Sequence, residues 1–144
     1  MFLDTNVLVR AQFESAPTHG LARHRITEAG ESRETLYISR QVVREYLATV
    51  TRPQPWSPPE TMDNALRHVA EFEMTFEILE DGPRVADMLA TLCREVPLGG
   101  KQIHDANIVA TMLAHGERRL LTFNAADFRR YGARIELVEM ETPA

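Results

Sequence analysis

The first residue able to do chemistry is Asp4, which ends the apolar run at positions 1–3. An apolar run that stops at an acid predicts a buried strand with the carboxylate at its carboxyl end. In open α/β sheets, ligands bind outside that end of the strands. A strand-end turn or a helix cap would explain Asp4 equally well.

A second aspartate, Asp105, lies near the middle of an apolar helical stripe. At 100° per residue, this stripe contains Ile108, Val109, Met112 and Leu113. A carboxylate that faces the core costs several kcal/mol unless a metal ion or a buried cation compensates it. The alternative is a half-exposed aspartate in the first helical turn, where the helix dipole favours it. Two such acids point to a carboxylate site for a cation.

Five more polar residues are candidates, each on a less specific signal. Glu45 lies on the flank of an apolar stripe made of Val42, Val43, Tyr46, Leu47 and Val50, so periodicity alone indicates a surface acid. Asn124 and Asp127 follow a predicted strand, and their spacing is typical of a helix cap and first turn, which is compatible with a metal site. The hydroxyl groups of Thr5 and Thr122 are able to orient carboxylates or water, although capping and strand propensity explain them equally well.

The elements that must position these residues alternate along the chain. Strands are predicted at 1–3, 36–38, 76–79, 120–122 and 135–138, and helices at 5–13, 18–29, 40–50, 57–73, 83–95, 103–115 and 124–131. The helix over 57–73 is predicted to begin with a capping box from Ser57 to Glu60. Strands that alternate with helices predict an α/β fold, with a central parallel sheet of about five strands between two helical layers.

Composition restricts the class of protein. The chain has 144 residues, with 44% hydrophobic and 26% charged residues, which predicts a single globular domain over 1–144 with a loose tail at 139–144. A formal net charge of -5 argues against non-specific nucleic-acid binding through bulk charge. The single cysteine, Cys93, is predicted to be buried and fits a reducing cytoplasm. No signal peptide and no apolar run long enough to cross a membrane is expected.

Four short segments, taken in order, resemble the motifs of the PIN-domain ribonucleases, and within them the VapC toxins of bacterial VapBC toxin–antitoxin pairs. The segments are 2–8 (FLDTNVL), 38–46 (ISRQVVREY), 103–110 (IHDANIVA) and 121–128 (LTFNAADF). The resemblance covers nearly the whole chain and implies a PIN-like three-layer α/β/α sandwich. In many members, the fourth motif has an acid where this chain has Asn124, which leaves a second metal ion in doubt.

The resemblance also implies a site and a function. Metal-binding acids are carried over to Asp4, Glu45 and Asp105, with Asp127 as a further catalytic acid and Thr5, Asn6, Thr122 and Asn124 as supporting residues. Such carboxylates suit Mg²⁺ or Mn²⁺. The implied activity is cleavage of structured RNA, such as tRNA or rRNA, by the toxin of a toxin–antitoxin pair. The implied partners are a small VapB-like antitoxin and a second copy of the chain in a homodimer.

An arginine cluster follows the fourth motif and is predicted to bind RNA phosphates beside the acids. The cluster consists of Arg129, Arg130 and Arg134.

Two other functions compete with the nuclease. One is a haloacid-dehalogenase-like phosphatase with Asp4 as covalent nucleophile, although the motif of that family has a second acid at the position where this chain has Asn6. The other is a catalytically degenerate PIN-fold module that only binds a partner.

Overall fold

The computed structural model describes residues 1–138 and Met140. Five strands alternate with helices along the described chain. The strands are β1 (Phe2–Leu3), β2 (Tyr37–Ser39), β3 (Glu77–Leu79), β4 (Arg119–Leu121) and β5 (Glu136–Val138). The helices are α1 (Thr5–Gln12), α2 (His19–Glu31), α3 (Arg40–Val50), α4 (Met62–Thr75), α5 (Pro83–Glu95), α6 (Gln102–Ala114) and the short α7 (Ala125–Phe128), which a 3₁₀ segment follows.

The strands form one parallel sheet in the order β3-β2-β1-β4-β5. Phe2 pairs with Tyr37 on one side of β1 and with Leu120 on the other. From β1 the chain crosses to β2 in one direction, whereas β4 lies on the opposite side, so the strand order reverses between β1 and β4. This reversal opens a crevice at the carboxyl ends of the strands, where open α/β sheets bind their ligands.

The helices cover the sheet in two groups. Helix α1 contacts α2 and α3, and α3 contacts α4, whereas α5 packs against α6. The central strands are buried on both faces, as the fully buried Phe2, Leu3, Leu120 and Leu121 show. This arrangement is a three-layer α/β/α sandwich, as predicted, and it explains why the strands are continuous apolar runs without alternation.

The predicted capping box at Ser57 is wrong. Helix α4 begins at Met62, and the Thr61 side chain caps it by accepting a hydrogen bond from Asn64 N at 3.2 Å. A proline disfavours helical backbone at the residue before it, so Pro58 and Pro59 keep residues 57 and 58 out of a helix. The residues from 51 to 61 form a loop instead, and this loop contributes to the site described below.

Two other expectations concern single residues. Cys93 is exposed rather than buried, because it lies about 100° around α5 from the buried Leu92. Residues 139 and 141–144 of the predicted tail lie outside the described residues, while Met140 packs against the core. Within the described part of the chain, no helix has both the length and the apolar character needed to cross a membrane.

Candidate active site

Asp4 lies at the carboxyl end of β1, in the crevice between β1 and β4. Its backbone N–H donates to Leu121 O at 3.0 Å, which extends the pairing of the two strands. Its buried carboxylate accepts hydrogen bonds from Thr5 N at 2.8 Å, from Thr122 Oγ1 at 2.8 Å and from Asn6 Nδ2 at 3.3 Å. The turn from β1 into α1 therefore holds this carboxylate in one orientation.

Asn6 and Thr122 connect the first and fourth motifs across the crevice. Asn6 Oδ1 accepts a hydrogen bond from Phe123 N at 3.1 Å, and Thr122 Oγ1 accepts one from Asn124 N at 3.0 Å. Since both side chains also bond to Asp4, the ends of β1 and β4 form one hydrogen-bonded unit. The structure thus places both predicted supporting residues against the first acid.

Glu45 is half-buried and faces the crevice from α3, contrary to the surface position that periodicity indicated. Its Oε2 accepts a hydrogen bond from Thr5 Oγ1 at 2.8 Å, and its Oε1 accepts one from Gln41 Nε2 at 2.7 Å. Gln41 also donates to His104 O at 2.8 Å and accepts from Asn107 Nδ2 at 2.8 Å. The buried Gln41 side chain therefore ties the position of Glu45 to the helix that carries Asp105.

Asp105 lies in the first turn of α6 and is half-buried. No described residue donates a hydrogen bond to its carboxylate, in contrast to Asp4 and Glu45. Burial raises the pKa of the Asp105 carboxyl, the negative charges of Asp127 and Glu45 raise it further, and Arg130 and His104 lower it. An acid that the protein leaves without a partner, in a cluster of other acids, is a suitable ligand for a cation from solution.

The cluster also disfavours the charge on Asp4. Burial raises the pKa of its carboxyl to about 6, although the hydrogen bonds from Thr122 and Thr5 oppose this rise. The negative charges of Glu45 and Asp105 add to it. A nearby divalent cation would stabilise the charged forms of Asp4 and Asp105, whose pKa values are both raised.

The three acids line one pocket of about 530 Å³. Its walls come from α1, from α3 and the loop that follows it, and from the amino-terminal end of α6. The lining residues are Asp4, Thr5, Asn6, Val9, Arg10, Glu45, Ala48, Thr49, Arg52, Gln54, Trp56, His104, Asp105 and Asn124. The pocket therefore combines three acidic side chains with two arginines and one tryptophan.

The donor set fits a hard divalent cation, although the side chains do not form a closed cage. Among the described residues, no three Asp, Glu, His or Cys side chains are arranged closely enough, as they stand, to hold a metal ion. The Asp4 and Glu45 carboxylates instead accept hydrogen bonds from the side chains of Thr122 and Gln41. Because Mg²⁺ keeps several waters and is commonly held by one or two carboxylates, the chemistry of Asp4 and Asp105, with Glu45 as support, fits this cation.

The other predicted site residues lie farther from this pocket. Asp127 is exposed and does not line it, but its charge acts on Asp105. Arg129 and Arg130 are exposed on the surface after α7, and Arg130 also acts on Asp105 through its charge. Arg134 bonds to Glu95 Oε2 at 3.1 Å and to Tyr131 O at 3.4 Å. The role of the three arginines in RNA binding stays a prediction.

Sequence reasoning missed Gln41, Arg10, Arg52 and Trp56. Helical spacing contains a signal for the arginines, since Arg10 lies four residues after Asn6 and Arg52 lies seven after Glu45. Residues at these intervals share a helix face. Trp56 stands on the loop at 51–61 and has no such signal, because only the path of the loop brings it to the pocket.

A model of the PIN domain family matches residues 1–134. Solved structures of similar fold include VapBC2 from Rickettsia felis bound to a promoter DNA fragment, at 18% identity and a TM-score of 0.70, with 95% of this chain and 96% of that chain covered. A toxin–antitoxin complex from Klebsiella pneumoniae aligns at 21% identity and a TM-score of 0.65, with 97% of both chains covered.

A further structure of similar fold is the Mycobacterium tuberculosis toxin VapC20, described as cleaving the sarcin-ricin loop. It aligns at 14% identity and a TM-score of 0.66, with 88% of this chain and 92% of that chain covered. No curated protein sequence matches significantly. The family model covers nearly the whole chain and the fold agrees with it, so the chain belongs to the PIN-domain family.

Proposed function

We propose that this PIN-domain protein is a divalent-metal-dependent endoribonuclease and the toxin of a toxin–antitoxin pair. The observation that carries the proposal is the convergence of Asp4, Glu45 and Asp105, from three separate elements, on one pocket. Among the described residues, none donates a hydrogen bond to the Asp105 carboxylate, and Arg10 and Arg52 line the same pocket. This combination suits a cation at the acids and phosphates at the arginines.

The chain's own side chains have distinct tasks in this proposal. Asp4 and Asp105 would hold Mg²⁺ or Mn²⁺, and Glu45 would complete the set through an oxygen or a water molecule. The bound cation supplies activation of water and offsets charge on the scissile phosphate. Thr122, Asn6 and Gln41 orient the carboxylates, because each donates a hydrogen bond to one of them. The proposed reaction needs no covalent intermediate on the protein.

RNA is the proposed substrate because the fold is shared with a toxin described as cleaving the sarcin-ricin loop. The toxin role draws support from similar folds that are solved as toxin–antitoxin complexes. A small antitoxin would silence the site by placing an arginine against the acids or an acid against the arginines. A homodimer remains a prediction from the family resemblance.

The cleavage proposal predicts strict dependence on a divalent cation. The purified protein should cleave cellular RNA in Mg²⁺ or Mn²⁺ and lose this activity in EDTA, because the acids alone cannot offset the charge of the phosphate. The measurement is the appearance of discrete fragments of tRNA or rRNA on a denaturing gel. Re-addition of Mg²⁺ should restore cleavage, which controls for damage by EDTA. Equal cleavage with and without EDTA would contradict the proposal.

The toxin proposal predicts that production of the wild-type chain alone stops growth of a bacterial host. Production of Asp105→Asn at the same level should leave growth unaffected, because the variant lacks a proposed metal ligand while the shape of its surface is unchanged. The readout is the growth curve, with soluble protein measured on an immunoblot. Normal growth while the wild-type protein accumulates in soluble form would rule out the toxin role in that host.

A degenerate PIN-fold binding module is the second candidate, and Asn124 is the observation that favours it. This amide lines the pocket where many family members have an acid. If the protein cleaves no cellular RNA but still binds a partner protein, the result would support the binding module. The haloacid-dehalogenase-like phosphatase has no support, since the chain belongs to the PIN-domain family.

A further inference from the structure

Besides the acids, the pocket is lined by residues of two helix faces. On α3 and just beyond it, Glu45, Ala48, Thr49 and Arg52 line the pocket at intervals of three and four residues. On α1, the lining residues Asn6, Val9 and Arg10 follow the same spacing. Along these faces, Arg10 lies one helical turn after Asn6, and Arg52 lies about two turns after Glu45.

The two arginines differ in how they are held. The Arg10 guanidinium lies over the Phe123 ring, 4.4 Å from its centroid, and donates to Thr18 Oγ1 at 2.8 Å. These contacts hold it in place before any ligand arrives. The Arg52 side chain is exposed and has no hydrogen-bond or ion-pair partner among the described residues. An unpaired guanidinium at the rim of an acidic pocket is available to a phosphate.

Trp56 lines the same pocket as these arginines and lies on a turn that hydrogen bonds anchor. Gln54 and Ser57 exchange backbone hydrogen bonds of 2.9 and 3.2 Å, and Gln54 Nε2 donates to Thr49 O at 2.8 Å. One side of the indole packs against Phe13, with ring centroids 5.7 Å apart and planes at 48°. The indole is only partly buried and lines the pocket, so aromatic surface is available to a ligand there.

We infer that Arg10, Arg52 and Trp56 form a subsite for an unpaired nucleotide of RNA, which we name the aromatic–arginine subsite. A base would stack on Trp56 while the arginines bind adjacent phosphates. Stacking on aromatic side chains beside a basic track is how proteins bind single strands. Bases inside a duplex are stacked on each other and cannot reach the indole, so the substrate class is a single-stranded segment or a loop. This inference deepens the proposed nuclease function and rests on it.

The only tryptophan of the chain is Trp56, so intrinsic fluorescence reports directly on this subsite. The full-length Asp105→Asn variant is titrated in Mg²⁺ with a short single-stranded oligoribonucleotide, with its blunt duplex and with the same strand lacking bases. The single strand should quench the fluorescence and bind most tightly. Adding Trp56→Ala should weaken its binding roughly 5- to 100-fold, measured by anisotropy of labelled RNA. Trp56→Phe should retain part of the affinity, and it keeps an aromatic ring against Phe13 if the alanine variant fails to fold.

The arginine contribution is tested by salt dependence. Arg52→Ala should reduce the slope of log affinity against log salt concentration by about 0.7, the value for one phosphate contact to a single strand. Arg94→Ala removes an exposed arginine in the last turn of α5, outside the pocket, and is the matched control with an unchanged slope. Equal slopes for wild type and Arg52→Ala would remove this residue from the subsite.

The subsite and the nuclease proposal fail in different ways. Absence of quenching, equal affinity for the duplex, or unchanged affinity in both Trp56 variants would overturn the subsite, even if the wild-type protein cleaves RNA with Mg²⁺. Specific quenching by single strands, with loss of affinity on removal of Trp56, would support the subsite even if no RNA is cleaved. In that case, the nuclease proposal alone would be wrong.

Discussion

Asp105→Asn should abolish RNA cleavage while the protein stays folded. Asn has the same shape as Asp, so packing at the start of α6 is retained while the negative charge of the proposed metal ligand is lost. Since loss of a group that merely supports a metal ligand costs 10- to 100-fold, loss of the ligand should reduce the cleavage rate by roughly 100-fold or more. The measurement is the initial rate on a defined RNA at saturating Mg²⁺.

The same variant separates a metal-binding role from a structural one. No described residue donates a hydrogen bond to the Asp105 carboxylate, so the substitution leaves no donor unpaired, and it removes repulsion from Glu45. Without metal, the melting temperature should therefore be equal to or above that of wild type. Mg²⁺ should raise the melting temperature of wild type more than that of the variant. Asp87→Asn, at an exposed position on α5, is the matched control with normal activity. A sharp fall in the melting temperature of Asp105→Asn would make Asp105 structural.

The metal-free protein should lose stability relative to Asp4→Asn as the pH rises from about 4 to about 7. Burial raises the pKa of Asp4 to about 6 from 3.8, so the folded state prefers the protonated carboxyl. The penalty for its charge is absent below the unfolded-state pKa and fully present above the folded-state pKa. The difference in unfolding free energy between the two proteins should therefore change by about 3 kcal/mol across this range.

The measurement is urea unfolding of both proteins in EDTA at a series of pH values. Asp4→Asn also disturbs the hydrogen bonds from Thr5 and Thr122, but that loss does not depend on pH. The change with pH therefore reports the titration of Asp4 together with its charge coupling to Glu45 and Asp105. Repeating the series in Mg²⁺ should flatten the curve, because a bound cation stabilises the charged carboxylate. If the difference in unfolding free energy between the two proteins in EDTA does not change with pH, folding does not raise the pKa of Asp4.

Local patterns were sufficient for most of the fold. The alternation of apolar runs with helical stripes predicted five strands and a parallel sheet between helices, and both are present. These features depend on residues close in sequence, and periodicity reports such residues directly. The start of α4 was wrong because a Ser-Pro-Pro-Glu segment satisfies the capping-box spacing, whereas backbone sterics before proline exclude the helix there.

The acids differ in how much the sequence revealed about them. Asp4 and Asp105 stand out because each interrupts an apolar pattern, and the structure places both in the same pocket. Glu45 lies off the apolar stripe of its helix, so periodicity assigned it to the surface, and only the family resemblance predicted it to be a metal ligand. The structure gives the physical reason. A residue on this flank of the stripe faces the crevice at the carboxyl ends of the strands, where Glu45 bonds to Thr5 of α1.

By itself, the sequence therefore determined the order of the elements, the parallel sheet and the two acids that break apolar patterns, because these follow from local periodicity. Only the tertiary structure decided which side chains meet. Gln41 joins Glu45 to α6, and the loop after α3 brings Trp56 to the pocket that holds Asp4. Such contacts join residues distant in sequence, and their geometry depends on how strands cross and loops run, which no local pattern encodes.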